Sequence, residues 1–356
     1  PSAVDVAKLK YTFTDYYYRH NRRNPRDYLF AYIEPLARFG RWLAPLANFV
    51  LQSPLAGVLG ERIFGLARKR RLPVIQEHAL HELHAKARGA QAVKGSETVL
   101  LLSDAFTEYF HPEVGMAAVR VLEAAGCRVE ILPVIGAGRT LISKGFLEPA
   151  RRHARKLLEA IEKIDPERRM AVVGLEPSEI YSLRDEYLDL LPGDERAKKL
   201  AERSYMVDEY LLRPGVDGEE RIERIVNGNS KVRRGEKLAR QVLLHGHCYQ
   251  KARPPAADGF PTGVDASVQF LKACGFSVEV IDAGCCGMAG AFGYEAEHYD
   301  VSMQVGELAL LPAVRAAGPE VIISASGVSC QEQIADGAKR RAAHPVVLVD
   351  ETLQHR

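Results

Sequence analysis

The stretch VLLLSD at residues 99–104 is a short apolar run ended by polar residues, which is typical of a buried β-strand. A helical pattern follows, and then two further strand patterns, CRVEILPV from residue 127 and MAVVGLEPSE from residue 170. The same order of elements returns after QVLLHGHC at residues 241–248, with FSVEVIDA from residue 276 and EVIISASGVSC from residue 320. Short strands alternating with helices are typical of a parallel sheet covered by helices. The sequence therefore predicts an α/β fold in which one unit is duplicated.

The duplication divides the chain into four predicted regions. Residues 1–92 form a basic helical arm, residues 93–184 the first unit, residues 185–238 a charged helical connector interrupted at Pro214, and residues 239–356 the second unit. We expect the two units to be Rossmann-like parallel sheets related by pseudo-twofold symmetry, with the helical arm in addition.

Composition and charge narrow the class of protein. The chain has 356 residues, of which 47% are hydrophobic and 26% charged, and its six cysteines are too few for a disulfide-stapled secreted scaffold. The net charge of +2 combines +8 in residues 1–71 with −6 in the remainder. That asymmetry favours a docking surface for an acidic partner, a membrane face or another domain over a nucleic-acid binder, although simply solvated basic helices would give the same pattern. Because the first residues lack a secretory signal pattern, we expect a cytoplasmic protein.

One apolar stretch raises the question of a membrane. Residues 42–60 contain no charged side chain and are long enough to span a bilayer, but Pro45 and Pro54 interrupt any continuous helix. We therefore expect helical segments that pack on the body or lie on a membrane surface, which would make the protein peripheral to the inner membrane face. The basic residues that flank the stretch are Arg38, Arg41, Arg62 and the run from Arg68 to Arg71.

Four of the six cysteines follow predicted strands of the second unit. Cys248 follows the first strand, Cys285 and Cys286 lie in the loop after the second, and Cys330 follows the third. Because the carboxyl ends of parallel strands meet at one edge of a sheet, we expect these thiols to converge. Soft sulfur ligands select an iron–sulfur cluster or a tetrahedral zinc ion. The sequence thus predicts one metal centre, with a phosphate-binding glycine loop or plain packing of the cysteine pair as alternatives.

The first unit has no cysteine at the corresponding positions. When the strand patterns of the two units are aligned, four other residues stand opposite Cys248, Cys285, Cys286 and Cys330. In that order they are Phe106, Gly136, Ala137 and Glu179. The remaining two cysteines, Cys127 and Cys274, stand at a strand start and a helix end without another cysteine nearby, so we expect them to be packing residues.

Residues around the cysteines add further candidates. Gly287 and Gly290 permit positive φ and let main-chain N–H groups approach a thiolate. His245 and His247 flank the first ligand in HGHC, as proton carriers or hydrogen-bond donors to a thiolate rather than as metal ligands. Three residues begin the predicted helix after the double-cysteine loop: Tyr294, Glu295 and His298. Two interpretations of these residues stay open, a solvated helix start and a functional role.

The motifs HGHC, GCCGMAG and SGVSC resemble the cysteine-rich CCG domain of iron–sulfur oxidoreductases. Most of the chain is similar to the C-terminal part of fused FAD and iron–sulfur dehydrogenases that act on D-2-hydroxyacids such as D-lactate, D-2-hydroxyglutarate or glycolate. Gln333 stands where the family pattern often has a last cysteine, which argues against a five-cysteine noncubane cluster.

This resemblance implies a 4Fe–4S cluster held by the four cysteines and a role in electron transfer. It also implies an FAD domain and a ferredoxin-like domain on the same polypeptide or on a partner subunit. Hydride transfer would then take place outside this chain, and the chain itself would contain no catalytic residue. The first unit would then bind no cluster. It would shape a surface facing substrate or flavin, with Arg139, Lys144 and Glu179 as candidates, or be a duplicated site that has decayed.

A second interpretation keeps the cysteines but not the redox role. Closed four-thiolate zinc is redox-silent, and the chain would then be a structural or docking module of the same larger enzyme. Thiol–disulfide chemistry at the adjacent cysteine pair is disfavoured, because a vicinal disulfide is strained and lacks the usual C-x-x-C spacing.

Overall fold

The computed structural model describes residues 6–88, 97–228 and 240–354. Residues 6–64 and 80–88 are mostly helical, as predicted, whereas residues 65–79 form no helix. The helices are α1 (Val6–His20), α2 (Pro25–Ala31), α3 (Ile33–Gly40), α4 (Ala44–Leu51), α5 (Pro54–Phe64) and α6 (Leu80–Arg88). Asn24 and Ser53 start α2 and α5, because each side chain accepts a main-chain N–H of the first turn and is followed by a proline.

The apolar stretch forms a bent pair of helical segments. Among the described residues no single helix is long and apolar enough to cross a membrane. The segments Ile33–Leu51 and Pro54–Phe64 meet the length and composition criterion only together, and they are bent by 92° at their junction. Pro45 lies in the first turn of α4 and Pro54 begins α5, so both prolines interrupt the stretch where the sequence predicts.

Two four-stranded sheets follow with the same strand order. The first contains β1 (Glu97–Leu102), β2 (Cys127–Ile131), β3 (Val172–Gly174) and β4 (Ser204–Met206), in the order β2-β1-β3-β4. The second contains β5 (Gln241–His245), β6 (Ser277–Val280), β7 (Ile322–Ala325) and β8 (Ala342–Ala343), in the order β6-β5-β7-β8. Every neighbouring pair of these strands is parallel. The predicted α/β fold with two repeated units is therefore confirmed.

Helices connect these strands. In the first unit they are α7 (Ala105–Tyr109), α8 (Pro112–Ala124), α9 (Arg139–Ser143), α10 (Leu147–Ile164), α11 (Pro177–Ile180), α12 (Glu186–Leu190), α13 (Glu195–Glu202), α14 (Val207–Leu211) and α15 (Arg221–Gly228). In the second they are α16 (Cys248–Lys251), α17 (Gly263–Ala273), α18 (Tyr299–Glu307), α19 (Leu310–Ala316), α20 (Val328–Ala338) and α21 (Pro345–Gln354). Short 3₁₀ turns cover Arg41–Leu43, Tyr181–Leu183, Phe292–Tyr294 and Ala296–His298.

The predicted connector contributes to the first sheet. Strand β4 lies inside residues 185–238 and pairs with β3, so the first sheet extends beyond the predicted boundary at residue 184. The predicted boundaries at residues 92 and 238 lie outside the described residues, and the division into four regions stays a prediction.

The two units share a core and face each other at their carboxyl edges. One cluster of buried side chains includes Leu101 of β1, Phe270 of α17 and Val346 of α21. At the strand ends, the main-chain N–H of Val328 donates to Glu176 Oε2 at 2.9 Å. Because Val328 follows β7 and Glu176 follows β3, the edge that carries the second unit's cysteines lies against the matching edge of the first unit.

Candidate metal centre

Three loops bring the four candidate cysteines together. Cys248 is the first residue of α16, after β5, and Cys330 lies in the first turn of α20, after β7. Cys285 and Cys286 occupy the loop after β6. The thiols lie close enough to affect one another's ionisation, with Cys285 interacting with Cys248 and with Cys286, and Cys286 with Cys330. The expected convergence at one sheet edge is thus present, while the role of these side chains as metal ligands stays a prediction.

The electrostatics of the group favour a thiolate at Cys285. Hydrogen bonds from Cys248 and Cys286, with the main-chain N–H of Gly287, lower the pKa of the Cys285 thiol far below its ordinary value. The same contacts and burial raise the pKa values of Cys248 and Cys286. A thiolate at Cys285 among neighbouring thiols is an arrangement that a bound cation would stabilise, because metal ligation requires deprotonated sulfur.

The double-cysteine loop has the backbone conformation that the glycines were predicted to allow. Gly287 has φ of 98° and donates its N–H to Cys285 Sγ at 3.3 Å. Gly290 has φ of 67° and no atom within 4 Å of the position where a Cβ would stand. Lys251, at the end of α16, donates to the main-chain oxygens of Ala283 and Gly284, the latter at 2.8 Å. This lysine ties the loop to the helix that carries Cys248.

A distance criterion finds one other compact group of possible ligands. In the described residues, the one group of three or more His, Cys, Asp or Glu side chains whose ligand atoms all lie within 4.8 Å of one another is Glu295, Glu297 and His298. The four cysteine sulfurs do not meet this criterion. Both a zinc ion and an iron–sulfur cluster accept four thiolate ligands.

The two predicted histidines are both neutral. His245 is fully buried, burial and the nearby Lys251 ammonium lower its pKa to about 3, and neither ring nitrogen has a hydrogen-bond partner among the described residues. His247 caps α16 by accepting the N–H of Tyr249 at Nδ1, at 3.2 Å, and burial lowers its pKa to about 4. A buried ring without a partner costs free energy unless a further group binds it. His245 therefore fits the prediction of a donor to a bound thiolate or sulfide, whereas His247 has a capping role.

Gln333 belongs to a buried network that the sequence did not reveal. Its Nε2 donates to the main-chain oxygen of Ser302 at 2.9 Å, and its Oε1 accepts from Arg70 at 2.5 Å. Arg70 also binds Asp336 at 3.0 Å and the main-chain oxygen of Gly293 at 3.0 Å. The run of basic residues from Arg68 to Arg71, predicted as a flank of the apolar stretch, thus places one member inside the second unit.

The first unit has a carboxylate at the equivalent place. Glu176 and Gly327 are the N-caps of α11 and α20, so Glu179 and Cys330 hold the same position in their helices, as the alignment predicted. Glu179 Oε2 accepts the N–H of Ala137 at 2.6 Å. Burial and the nearby Asp104 raise the pKa of Glu179 to about 8. The side chain that replaces the last cysteine therefore binds the residue that replaces Cys286.

One counterpart differs from the prediction. Asp104 and His247 are the N-caps of α7 and α16, so the residue that matches Cys248 is Ala105 rather than Phe106. Strand pairing gives the same result, since Val99 pairs with Val129 and Val242 with Val278, so Val99 corresponds to Val242 and not to Gln241.

A cavity of about 350 Å³ opens beside Glu179 in the first unit. Its lining combines apolar residues with Glu34 and His153, and His153 Nε2 contacts the main-chain oxygen of Gly136 at 2.9 Å. The place of the missing cysteines is thus bordered by open space as well as by the Glu179 carboxyl group.

The weaker candidates are divided between two ion-pair networks. Arg139 pairs with Glu186 and lies over the ring of Tyr249, the neighbour of Cys248, at 5.0 Å. Lys144 Nζ binds Glu295 Oε1 at 2.6 Å, and His298 Nδ1 contacts Glu295 Oε2 at 2.8 Å. These contacts connect the two units.

Tyr294 joins the helical arm to the same loop. Its main-chain oxygen accepts the N–H of Ala67 at 2.7 Å, and Arg26 pairs with Glu295 at 3.3 Å. Arg26 also pairs with Glu297, so cationic side chains face both carboxylates of the compact group. The three predicted residues after the loop thus have contacts that hold the arm and both units together.

Cys127 and Cys274 lie away from the centre in the shared core. Burial raises the pKa of Cys274 to about 12, and Cys127 Sγ contacts the Tyr210 hydroxyl at 3.8 Å. Both are packing residues, as predicted.

A duplicated parallel α/β fold with four converging thiols in one unit is the arrangement that the resemblance to CCG-domain proteins predicts. Comparison with known proteins shows which proteins the chain is similar to. The chain is 26% identical over 356 residues to D-2-hydroxyglutarate dehydrogenase of Escherichia coli K12, covering 97% of this chain and 32% of the relative. The chain thus spans about a third of the length of that relative.

Two further relatives carry different names. The chain is 23% identical to one subunit of the anaerobic glycerol-3-phosphate dehydrogenase of Escherichia coli K12, covering 98% of this chain and 81% of the relative. It is 24% identical to lactate utilization protein A of Macrococcus caseolyticus, covering 54% of this chain and 71% of the relative. No protein-family model matches the chain. The resemblance to D-2-hydroxyacid dehydrogenases drawn from the motifs is confirmed by these similarities, and the chain is similar to components of oxidoreductases.

Proposed function

We propose that this chain is the iron–sulfur electron-transfer module of a flavin-dependent 2-hydroxyacid dehydrogenase, with one cluster held by Cys248, Cys285, Cys286 and Cys330. The observation that carries the proposal is the convergence of these four thiols after three strands of one unit. A 4Fe–4S cluster bound there would accept and release electrons one at a time.

The chain's own residues would set the properties of that centre. The Gly287 N–H directed at Cys285 Sγ stabilises a thiolate, and hydrogen bonds to ligand sulfur raise a cluster's reduction potential by stabilising the more negative state. Cys286 and Cys330 are buried, whereas Cys285 is exposed. The site therefore has a buried side and a side open to a partner.

The flavin chemistry would lie on another part of the enzyme. The similarity to D-2-hydroxyglutarate dehydrogenase covers about a third of that protein, which leaves room there for an FAD domain and a ferredoxin-like domain. In this proposal the flavin takes a hydride from a small 2-hydroxyacid, and this chain relays the electrons onward from the exposed side of the centre.

Anaerobic purification tests the proposal. We expect a brown protein with iron and acid-labile sulfide in about equal amounts, and a visible absorption band that bleaches on reduction with dithionite. A colourless protein that contains one zinc ion per chain and no sulfide would contradict the redox role and favour the structural alternative.

A further inference from the structure

The segment from α3 to α5, here called the apolar hairpin (residues 33–64), exposes large hydrophobic side chains on one side. Phe39 is 80% exposed, Trp42 76% and Phe49 76%. Eight further large apolar residues of the hairpin are exposed as well: Leu36, Leu43, Leu46, Val50, Leu55, Val58, Leu59 and Ile63. A contiguous exposed patch of more than a few hundred Å² is uncommon on a soluble monomer and marks an interaction surface.

The polarity of the hairpin is inverted relative to a surface helix in water. Its inner face combines buried Ala37 and Ala44 with Ile33 and Leu51, which pack beside them, and with two amide side chains. Asn48 exchanges two hydrogen bonds with the main chain of Ile75, at 2.8 and 3.0 Å, and Gln52 donates to the main-chain oxygen of Leu72 at 2.8 Å. A helix packed on a soluble protein normally turns its apolar face inward. Here the amides hold the hairpin to the body and the apolar face points away from it.

Charge around the hairpin indicates what covers the apolar face. Within residues 36–63 the charged residues are Arg38, Arg41, Glu61 and Arg62, and none lies between residues 42 and 60. Exposed Arg68 and Lys69 follow the hairpin. An uncharged, mostly apolar centre with basic ends and a tryptophan near one edge matches a bilayer surface, where acyl chains meet anionic headgroups.

The geometry distinguishes lying on a bilayer from crossing it. The two segments bend by 92° at their junction, and α3, α4 and α5 have 8, 8 and 11 residues. A helix must be about 20 residues long to span the hydrocarbon core. The bend rules out a straight crossing by the whole hairpin, and the short segments suit insertion into one leaflet.

We propose that the apolar hairpin docks this protein on an anionic membrane surface, with Phe39, Trp42 and Phe49 inserted among the acyl chains and the flanking arginines at the headgroups. The proposal goes beyond the electron-transfer role and does not depend on a bound metal. It places the module at the surface of a membrane such as the inner face of a bacterial inner membrane, where anionic lipids attract basic segments.

The chain carries its own probe, because Trp42 is its single tryptophan. We expect Trp42 fluorescence to shift to shorter wavelength when the full chain meets vesicles of phosphatidylglycerol and phosphatidylcholine, and to be quenched by brominated acyl chains. Phe39→Ser and Phe49→Ser should each weaken vesicle binding about tenfold or more, because each removes a large apolar side chain from the inserted face. Leu308→Ser, which changes an 83% exposed leucine outside the hairpin, is the matched control and should bind as the parent does.

The electrostatic part is tested separately. Arg38→Gln and Arg62→Gln should each weaken binding to the anionic vesicles about fivefold and leave binding to pure phosphatidylcholine unchanged. Unchanged Trp42 emission with lipid would overturn the proposal, and so would dimerisation in buffer that Phe39→Ser abolishes, since a second copy would then cover the face. If the chain alone binds vesicles but the intact larger enzyme does not, the rest of the enzyme covers the hairpin and the proposal is equally wrong.

Discussion

Gly287→Ala should destabilise the second unit more than Gly290→Ala, although both replace a glycine of the same loop with positive φ. A left-handed φ costs an alanine about 1–2 kcal/mol, and this cost applies at both positions. At Gly287 the added Cβ would also come within 3.0 Å of the main-chain oxygen of Ser302, in α18, and within 3.1 Å of Gln333 Nε2. Overpacking of this kind costs about 1–3 kcal/mol more, because a helix backbone cannot move away cheaply. At Gly290 the Cβ would meet nothing within 4 Å.

The expected loss of unfolding free energy is therefore about 2–5 kcal/mol for Gly287→Ala and about 1–2 kcal/mol for Gly290→Ala. Urea unfolding of the metal-free chain, followed by circular dichroism, measures the two values without any contribution from a bound metal. The alanine at position 287 keeps its N–H, so the comparison isolates the steric effect. Equal destabilisation by the two substitutions would refute the close packing of this loop against α18.

Three further predictions concern buried polar groups. Glu179 has its pKa raised to about 8, so the folded state holds its proton more tightly than the unfolded state; stability due to this group is full below about pH 4.5 and is lost as the pH rises toward 8. Glu179→Gln should therefore gain stability relative to the parent as the pH is raised from 5 to 8, and a difference independent of pH would contradict the shift. Arg70→Met should lower the unfolding free energy by about 3–5 kcal/mol, because the Asp336 carboxylate would then be buried without its cationic partner. A loss below about 1 kcal/mol, as for a surface ion pair, would be inconsistent with the network. Glu176→Ala should lower the unfolding free energy by about 1–2 kcal/mol, because it removes the cap of α11 and the acceptor for the Val328 N–H. Glu176→Gln keeps an acceptor oxygen and should lower the unfolding free energy less. Equal losses for the two variants would argue against the hydrogen bond.

Much of the fold follows from local sequence patterns. The strands β1 and β5 read as apolar runs because both faces of a parallel sheet are covered, and the cysteines could be assigned to one edge because carboxyl ends of parallel strands converge. The duplication made that inference stronger, since it showed which residues of the second unit have no partner in the first.

Short elements and long-range contacts could not be predicted from such local patterns. Strand β4 has three residues, Ser204–Met206, set between charged residues, so its sequence resembles the connector in which it was placed. The shift from Phe106 to Ala105 depends on where a helix cap falls, which one sequence does not fix. Arg70 looked like part of a solvated basic run, and only the packing of the arm on the second unit brings it to Gln333.

The central claim, that four cysteines of one unit bind a single redox centre, is tested most directly by iron content. Each cysteine of the set is replaced by serine, and the iron and sulfide of the anaerobically prepared chain are compared with those of Cys127→Ser and Cys274→Ser, which change the two core cysteines. We predict that Cys248→Ser and Cys330→Ser lower iron and sulfide severalfold, while the two core variants retain the parent's content. Full iron and sulfide in either Cys248→Ser or Cys330→Ser, or no iron in the parent chain, would contradict the account.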